Sequence, residues 1–526
     1  MTDTSGTTNY TYDNLDLLIT KQTPEGTLNY TYDAAGNLAS MTSGDGNVSV
    51  NYTWDSLNRL STVTDNRLTG TSNTTTYTYD TANNVVKMAY PNGVQATLNY
   101  DTLNRLTSLT TPNSGYLYQL GPTGTRSNVT ELTGRSINWS YDGIYRLTGE
   151  TISNAPSKVN GSVAYGLDPV GNRLLANSTI AGINSGALSF NPDDQELIES
   201  YDADGNVTAT GGKSFAYDSE DRLKSMNGGA VSITYDGDGN RVQKMANGVV
   251  TRYLVDDLNP TGYPQVVEET GSVPRTYTYG LQRIDENQVI NGVQTPSFYG
   301  YDGMGSVRQL TNSSGAITDT YEYDAFGNKI ASTGTTPNNY LYRGEQYDTD
   351  LGLYYLRARY YNPLTGRFMS RDPNTGNQLN PMSLHKYLYA GGDPINFVDP
   401  AGRDSLLETG SLDAIIGTRP LPALTELAGG AYASAASWAV GRYLAAAELA
   451  ETAQAAVSDY IEAVDWAELA KGITKVFLCE SLEIGLEHII DTYVGSGVSD
   501  ILIPEIAKEK FQEACWEYAG QIPPLK

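Results

Sequence analysis

Residues 371–399 contain three carboxylates and an arginine whose side chains could carry out acid–base chemistry. The carboxylates are Asp372, Asp393 and Asp399, and Arg371 directly precedes the first. When two carboxylates lie close together, one stays neutral and can act as an acid while the other acts as a base. An adjacent arginine can position a carboxylate or stabilise developing charge. Asp-Pro and Asp-Pro-x-Gly are also ordinary turn sequences, so a purely structural role for the aspartates stays open.

The rest of the sequence contains no comparable catalytic pattern. HExxH, P-loop and CxxC motifs are absent. His488 lies beside Glu487 on a segment of helical periodicity, where a lone histidine is more often structural than a base or a metal ligand. Cys479 and Cys515 lie on apolar stripes, so they could form a disulfide or remain two buried free thiols. We predict no metal site and no cofactor.

The elements that must position the carboxylates are marked by a recurring tyrosine–aspartate dipeptide. Many of its spacings are close to twenty residues, as from Tyr12 to Tyr32 and from Tyr79 to Tyr100. A fixed period of this size is typical of a repeat architecture. Composition agrees, because the chain has 39 Tyr but only 8 Phe and 5 Trp. Tyrosine-rich strands suit a thin, curved sheet better than a thick core.

One repeat, residues 28–38 (LNYTYDAAGNL), can be interpreted physically. Tyr30 and Tyr32 are two apart, so on a strand both rings face the same side. Gly36-Asn37 can adopt positive φ at low cost, so the chain turns there, and Leu38 begins the return strand. Stacked strand–turn–strand units pair each other's edges. We therefore predict a mainly β, antiparallel structure with one continuous sheet up to about residue 402 and the dipeptides at hairpin ends.

The chain resembles the Rhs/YD-repeat family over residues 1–403, and three stretches carry the specific signature. They are residues 299–328 (beginning YGYDGMGSVRQL), 339–373 (containing LGLYYLRARYYNPLTGRF) and 386–402 (KYLYAGGDPINFVDPAG). Members include contact-dependent bacterial toxins, C subunits of insecticidal Tc complexes, and the shells of teneurins. The resemblance implies a spiral of antiparallel β-hairpins forming a hollow shell, an inward plug, and a variable toxic domain held inside.

The resemblance also implies self-cleavage by an aspartyl-protease-like site near the end of the shell. Arg371 and Asp372 match the arginine and the first aspartate of that site. The second aspartate is expected about a dozen residues later, but residues 373–392 contain no Asp or Glu. Asn380 or His385 occupies that neighbourhood.

The nearest candidates for the second aspartate are Asp393 and Asp399. Cleavage is expected after Gly402, within the segment Gly402-Arg403-Asp404. The family usually has Leu where this chain has Arg403.

The character of the sequence changes at Asp404, where the dipeptide period stops and helical periodicity begins. We predict three domains: a YD-repeat shell over 1–298, a core-associated domain over 299–403, and an all-α C-terminal domain over 404–526. The last contains seven Lys and Arg against nineteen Asp and Glu, a net charge of −12. A nuclease usually shows a basic footprint, so this charge disfavours nucleic acid as a partner.

Two function classes remain open: a delivery capsule with a toxin-like C-terminal domain, or a structural or adhesion protein whose helical tail caps the shell. Residues 1–11 lack the features of a signal peptide, and no run reaches the eighteen or so apolar residues of a membrane helix. We expect a secreted or cell-surface protein, exported by a dedicated system or as part of a longer chain. Expected partners are an N-terminal capping protein or delivery apparatus and an immunity protein.

Overall fold

The computed structural model describes residues 1–68, 73–290, 292–376, 381–403 and 406–407. Several predictions concern residues outside these ranges and stay predictions: the helical domain over 404–526 with its His488, the disulfide between Cys479 and Cys515, and the positions Asn380 and Asp404.

The described residues form antiparallel β-sheets, which confirms the predicted fold class for this part of the chain. In the two large sheets each strand pairs with the next strand along the chain. The first sheet has seventeen strands: β1 (Asn9–Tyr12), β2 (Leu18–Thr23), β3 (Gly26–Tyr32), β4 (Leu38–Ser43), β5 (Ser49–Trp54), β6 (Leu60–Asp65), β7 (Thr74–Tyr79), β8 (Val85–Ala89), β9 (Gln95–Tyr100), β10 (Leu106–Thr110), β11 (Gly115–Leu120), β12 (Arg126–Glu131), β13 (Ser136–Tyr141), β14 (Leu147–Ser153), β15 (Gly161–Leu167), β16 (Arg173–Ser178) and β17 (Gly186–Ala187).

The second sheet has fourteen strands: β18 (Ser200–Tyr201), β19 (Val207–Thr210), β20 (Lys213–Tyr217), β21 (Leu223–Met226), β22 (Val231–Tyr235), β23 (Arg241–Ala246), β24 (Val249–Asp256), β25 (Gln265–Thr270), β26 (Arg275–Tyr279), β27 (Arg283–Ile290), β28 (Val293–Tyr301), β29 (Val307–Thr311), β30 (Ile317–Tyr323) and β31 (Lys329–Thr333). A smaller sheet follows: β32 (Gln346–Asp348), β33 (Leu353–Leu356), β34 (Arg359–Asn362) and β35 (Arg367–Phe368). The last pair is β36 (Phe397–Val398) and β37 (Leu406–Leu407).

The helical pieces of the described residues are short 3-10 helices: Asn227–Gly229, Tyr342–Gly344, Pro381–Leu384 and Tyr389–Gly392. No helix in this part of the chain is long and apolar enough to cross a membrane.

The prediction of one continuous sheet is wrong, because the ladder breaks between β17 and β18. Asn191 there begins a turn, and its Oδ1 accepts the backbone N–H groups of Asp193 and Gln195, each at 2.9 Å. Pro192 has no N–H group to give to a ladder. The ladder stops again after β31, where the chain continues through Gly334 and Pro337.

The Tyr-Asp dipeptides stand at hairpin turns, as predicted, and each residue of the pair has its own task. The Tyr32 hydroxyl donates to the carbonyl of Leu18 in the preceding hairpin at 2.7 Å. Asp33 Oδ1 accepts the N–H groups of Ala35 and Asn37 at 2.8 and 2.9 Å. The tyrosine therefore fastens one hairpin to the hairpin before it, and the aspartate fixes its own turn.

The same tyrosine-to-carbonyl bond recurs along both sheets. Trp54, which replaces tyrosine in one dipeptide, donates its ring N–H to Leu38 O at 2.7 Å. Each such bond contributes about 1 kcal/mol net. Other pairs are Tyr79–Leu60, Tyr100–Val85, Tyr141–Arg126, Tyr235–Leu223, Tyr279–Val266, Tyr301–Arg283 and Tyr323–Val307.

The two large sheets contact each other through their facing side chains. The Tyr30 hydroxyl of the first sheet donates to Asp256 Oδ1 of the second at 2.9 Å, and Gly303 N–H donates to the Tyr118 hydroxyl at 2.7 Å. A Cβ at Gly303 would lie 2.6 Å from the side chain of Leu106, so glycine is needed for this close approach. Buried residues of both sheets form one apolar cluster. The hollow interior implied by the resemblance is therefore not found where these sheets face each other.

Residues after β31 lie across the hairpin turns. The hydroxyls of Tyr342, Tyr361 and Tyr387 donate to the turn carbonyls of Ala325, Phe326 and Gly205, at 2.8, 2.7 and 2.8 Å respectively. All three carbonyls lie in hairpin turns of the second large sheet, and Tyr361 belongs to β34, so its bond docks the small sheet there.

Candidate active site

The candidate site is formed by a tight turn and by the segment that begins at Asp399. Arg357 and Ala358 form the turn between β33 and β34, and Arg357 has φ 56°, in the left-handed region. Residues 399–402 form a second turn, in which Gly402 N–H donates to Asp399 O at 3.3 Å. Gly402 has φ 67°, a conformation that glycine adopts at low cost.

Arg359, the first residue of β34, joins two of the predicted aspartates. Its Nη2 lies 2.8 Å from Asp372 Oδ2 and 3.3 Å from Asp399 Oδ2. The side chains of Arg359 and Asp399 are 3% and 2% exposed, whereas that of Asp372 is 15% exposed. The Phe368 ring covers the guanidinium, with its centroid 3.6 Å from Cζ. One buried cation therefore compensates two carboxylates, one of which keeps some access to solvent.

The peptide bond between Gly402 and Arg403 lies against this cluster. Arg359 Nε donates to the Gly402 carbonyl oxygen, and the Arg403 N–H donates to Asp399 Oδ1 at 2.9 Å. Asn374 Nδ2 donates to the next carbonyl oxygen, that of Arg403, at 3.3 Å. The bond thus has a cationic donor on its oxygen, where negative charge develops during acyl hydrolysis, and a carboxylate beside its nitrogen.

Asp393 occupies a different environment. Its Oδ1 accepts the N–H groups of Ile395 and Asn396, both at 3.2 Å, and its Oδ2 accepts the Asn396 amide at 2.8 Å. Burial raises the pKa of Asp393 to about 6. Asp393 therefore belongs to a turn of its own. Arg359 brings Asp372 and Asp399 together, and Asp393 is not part of that cluster.

Two other predicted positions are also placed by the structure. The side chain of Arg371 packs on Gly205, where a Cβ would lie 3.0 Å from Arg371 Cδ. His385 is buried, with Nε2 2.9 Å from Asn172 Oδ1, and its Nδ1 accepts the Tyr387 N–H at 3.1 Å. Burial and the charge of Arg367 lower the pKa of His385 to about 3, so it is neutral at ordinary pH.

Three residues of the cluster were missed by sequence reasoning: Arg359, Asn374 and Lys386. The Lys386 carbonyl accepts the Asp372 N–H at 2.9 Å and Arg359 Nη1 at 3.2 Å, and partial burial lowers the pKa of the Lys386 amine. Arg359 lies inside the stretch that carries the family resemblance. Nothing in its local sequence separates it from Arg357, and only the fold of the hairpin shows which arginine meets the aspartates.

The family model for the teneurin YD-shell matches residues 1–123 and 127–395. The chain belongs to the teneurin YD-shell family. The resemblance to Rhs/YD-repeat proteins is thereby confirmed. The matched region of this YD-shell chain includes Asp372 and Asp393 and ends before Asp399.

Curated relatives of this YD-shell chain include two Bacillus proteins. The tRNA3(Ser)-specific nuclease WapA of Bacillus spizizenii is 36% identical over 262 residues, and the tRNA nuclease WapA of Bacillus subtilis is 36% identical over 266 residues. Each alignment covers 46% of this chain and 11% of the relative. The chain therefore spans about a tenth of the length of these relatives.

Among solved structures, the crystal structure of TcdB2-TccC3 superposes with a TM-score of 0.62 at 18% identity. The match covers 76% of this YD-shell chain and 24% of that chain. At this identity the likeness shows a shared fold.

Proposed function

We propose that this chain is an Rhs-type shell that carries a variable, toxin-like domain at residues 404–526 and cuts itself between Gly402 and Arg403. The observation that carries the proposal is the placement of Arg359, which contacts Asp372, Asp399 and the Gly402 carbonyl oxygen together. The YD-shell family and the WapA relatives support a shell of the polymorphic-toxin type.

The geometry supports a hydrolytic mechanism with divided roles. Asp372, the more exposed carboxylate, takes a proton from water, and the water oxygen adds to the Gly402 carbonyl carbon. Arg359 stabilises the negative charge that develops on the carbonyl oxygen. In the resting structure Asp399 Oδ1 accepts the Arg403 N–H. Addition of water to the carbonyl carbon frees the lone pair of this nitrogen, and Asp399, in its protonated form, then gives it a proton as the C–N bond breaks. The products are a carboxylate at Gly402 and a free amine at Arg403.

The positions of the two carboxylates support this division of labour. Asp372, at 15% exposure, is the one that water can reach, so we assign it as the base. Asp399, at 2% exposure, lies beside the Arg403 nitrogen, so we assign it as the acid.

The domain division at 298/299 and 403/404 remains part of the proposal, and so does encapsulation. Side chains fill the space where the two large sheets face each other. A cavity large enough for a folded domain therefore requires shell surface other than these two faces. TcdB2-TccC3 matches this fold over only 24% of its own length. Most of that protein therefore lies outside the matched region and could supply further shell surface.

The proposed domain over 404–526 has a net charge of −12, which disfavours a nucleic-acid target. This differs from the WapA relatives, which are named as tRNA nucleases. Incubation of total tRNA with the purified protein tests the difference by gel electrophoresis. Intact tRNA supports the charge argument, and specific fragments overturn it.

Self-cleavage is tested by denaturing electrophoresis and N-terminal sequencing of the freshly purified full-length protein. The proposal expects a small fragment whose N-terminus is Arg403. Asp372→Asn is expected to leave the chain intact, while Asp16→Asn, at an exposed aspartate of the turn between β1 and β2, cuts normally. A wild-type chain that stays intact contradicts self-cleavage and favours a structural or adhesion protein instead.

Partners and location follow from the same proposal. A capping protein or delivery apparatus at the shell and an immunity protein for residues 404–526 are the partners of a polymorphic toxin, and secretion or surface display is its expected location. Co-purification with the product of the adjacent gene tests the immunity partner.

A further inference from the structure

The turn between β33 and β34 contacts residues 400–402, the segment before the proposed cut, residue by residue. Residues 357–359 donate in order to the backbone carbonyls of residues 400–402. The two outer bonds come from arginine side chains and the central one from a backbone N–H at 3.2 Å. The pairs are Arg357 with Pro400, Ala358 with Ala401, and Arg359 with Gly402.

Arg357 is itself held by several groups. Its Nη1 lies 3.0 Å from Glu345 Oε1, its Nε donates to Pro264 O at 3.2 Å, and its Cζ lies 5.2 Å from the ring centroid of Tyr263. The left-handed backbone of Arg357 turns the chain so that Arg359 follows on the same side. Arg357 therefore fixes the position of Pro400, two residues before the bond to be cut.

The position of Gly402 excludes any side chain. A Cβ there would lie 2.2 Å from Leu356 O and 3.1 Å from Arg359 N. A slip of the segment by one residue would bring Ala401 or Arg403 to this point, and each has a Cβ. The turn and the glycine together permit one register only.

We propose that the turn over residues 356–359 sets the register of self-cleavage, with Arg357 as a positioning residue that presents the Gly402–Arg403 bond to the two aspartates. This inference rests on the proposed function. It assigns the choice of bond to the turn, and the reaction itself to Arg359, Asp372 and Asp399.

The identity of the cut bond gives the first test. In wild-type protein, mass spectrometry of the released fragment is expected to show one N-terminus, Arg403. Arg357→Ala is expected to slow cleavage at least tenfold and to add fragments cut at neighbouring bonds, and Arg357→Lys should restore the single terminus in part. Cleavage of Arg357→Ala at the wild-type rate and only before Arg403 overturns the proposal.

A second test does not depend on self-cleavage. In the Asp372→Asn background, trypsin is used to cut after Arg403, and the exposed Lys329 on β31 serves as an internal reference in the same molecule. Adding Arg357→Ala is expected to raise the ratio of cleavage after Arg403 to cleavage after Lys329 at least fivefold. An unchanged ratio overturns the positioning role.

The two arms separate the failure of the inference from the failure of the proposed function. If wild-type protein never cuts itself, the proposed function fails, yet the trypsin ratio still decides whether Arg357 holds the segment. Unchanged cleavage after Lys329 across the variants also shows that Arg357→Ala remains folded.

Discussion

Asp372 and Asp399 meet at a single nitrogen atom, Nη2 of Arg359, at 2.8 and 3.3 Å. Asp372 is also tied to Arg359 through the backbone, because Asp372 N–H and Arg359 Nη1 both donate to the carbonyl of Lys386. Asp399 belongs to the turn that contains Gly402, so this meeting also places the proposed cleavage bond. One side chain, that of Arg359, thus contacts the proposed acid, the proposed base and the bond proposed to be cut.

Replacing Arg359 should lower both the stability of the fold and the rate of self-cleavage. Arg359→Gln leaves two carboxylates without their shared partner, and we expect a loss of about 3–5 kcal/mol in the free energy of unfolding. Self-cleavage should fall below detection. Urea denaturation measures the first effect and electrophoresis the second.

The matched control is Arg222→Gln, because Arg222 pairs with Asp218 at 2.8 Å across a partly exposed hairpin turn. Exposed pairs contribute about 0–1 kcal/mol, so the control should change stability little. Equal losses in the two variants would contradict the assigned role of Arg359.

Gly402→Ala should stop cleavage without a general loss of stability. The new Cβ would collide with Leu356 O, and φ 67° is unfavourable for alanine, so the segment must move away from Arg359. Intact mass measurement of the purified variant is expected to show one full-length species. The control Gly93→Ala has a similar φ of 82° with open space where the new Cβ would lie, and it should still be cut. A Gly402→Ala protein that cuts as wild type does would refute the steric argument.

The contact between the two large sheets should weaken as the pH rises. Asp285 is fully buried, and among the described residues neither of its carboxyl oxygens makes a hydrogen bond of good geometry, because the hydroxyl of its cross-strand neighbour Thr278 donates to Asp65 at 2.9 Å. Arg67 Nη2 lies 3.9 Å from Asp285 and also pairs with Asp65. Burial, and then the charge of Asp65, raise the pKa of Asp285 well above its ordinary 3.8. The charge of Glu286 also raises the pKa of Asp285, and the charge of Glu268 raises the pKa of Arg67.

Because the folded state holds this proton more tightly than the unfolded state, the contribution of Asp285 to stability is complete below pH 3.8 and is lost as the pH rises towards the folded-state pKa. Asp285→Asn cannot ionise. We expect it to stabilise the protein by about 1–3 kcal/mol at pH 8, the scale of one buried unsatisfied group, and by almost nothing at pH 4. Chemical denaturation at both values, with exposed Asp204→Asn as control, checks this. A gain that is the same at both pH values would contradict the mechanism.

Tyr32→Phe tests the bond that joins successive hairpins. Loss of the hydroxyl leaves Leu18 O without this donor, and we expect a cost of about 1 kcal/mol in unfolding free energy. Tyr12→Phe is the control, since Tyr12 is 56% exposed at the first dipeptide, and it should change stability by less than about 0.5 kcal/mol. Denaturation midpoints compare the two. Indistinguishable midpoints would show that the repeated tyrosine bond contributes little.

The hairpins could be predicted from sequence because their interactions are local. Asp33 reaches Asn37 within its own turn, and Tyr32 reaches Leu18 in the adjacent hairpin, 14 residues earlier. The division into two facing sheets depends on contacts such as Tyr30 with Asp256, across more than two hundred residues, and no local pattern contains that information. The period of the Tyr-Asp dipeptide therefore predicted the repeat. It did not predict the break after β17 or the packed interior between the sheets.

The candidate site was predictable in part, for a different reason. Asp372, Asp399 and Gly402 could be singled out because the resemblance to the Rhs/YD-repeat family implies a self-cleavage site in this stretch. Arg359 could not, because its role arises only when the β33–β34 hairpin folds back on the segment before Arg403. Asp393 was an equal candidate in sequence, and only the fold shows that it contacts Ile395 and Asn396 instead.

The central claim is tested most directly by intact mass measurement of purified wild-type protein and Asp372→Asn under denaturing conditions. The account predicts two wild-type species, residues 1–402 and 403–526, with masses that sum to the full chain plus one water, and a single full-length species for Asp372→Asn. A single full-length species in both samples, or the same cut in both, would contradict it.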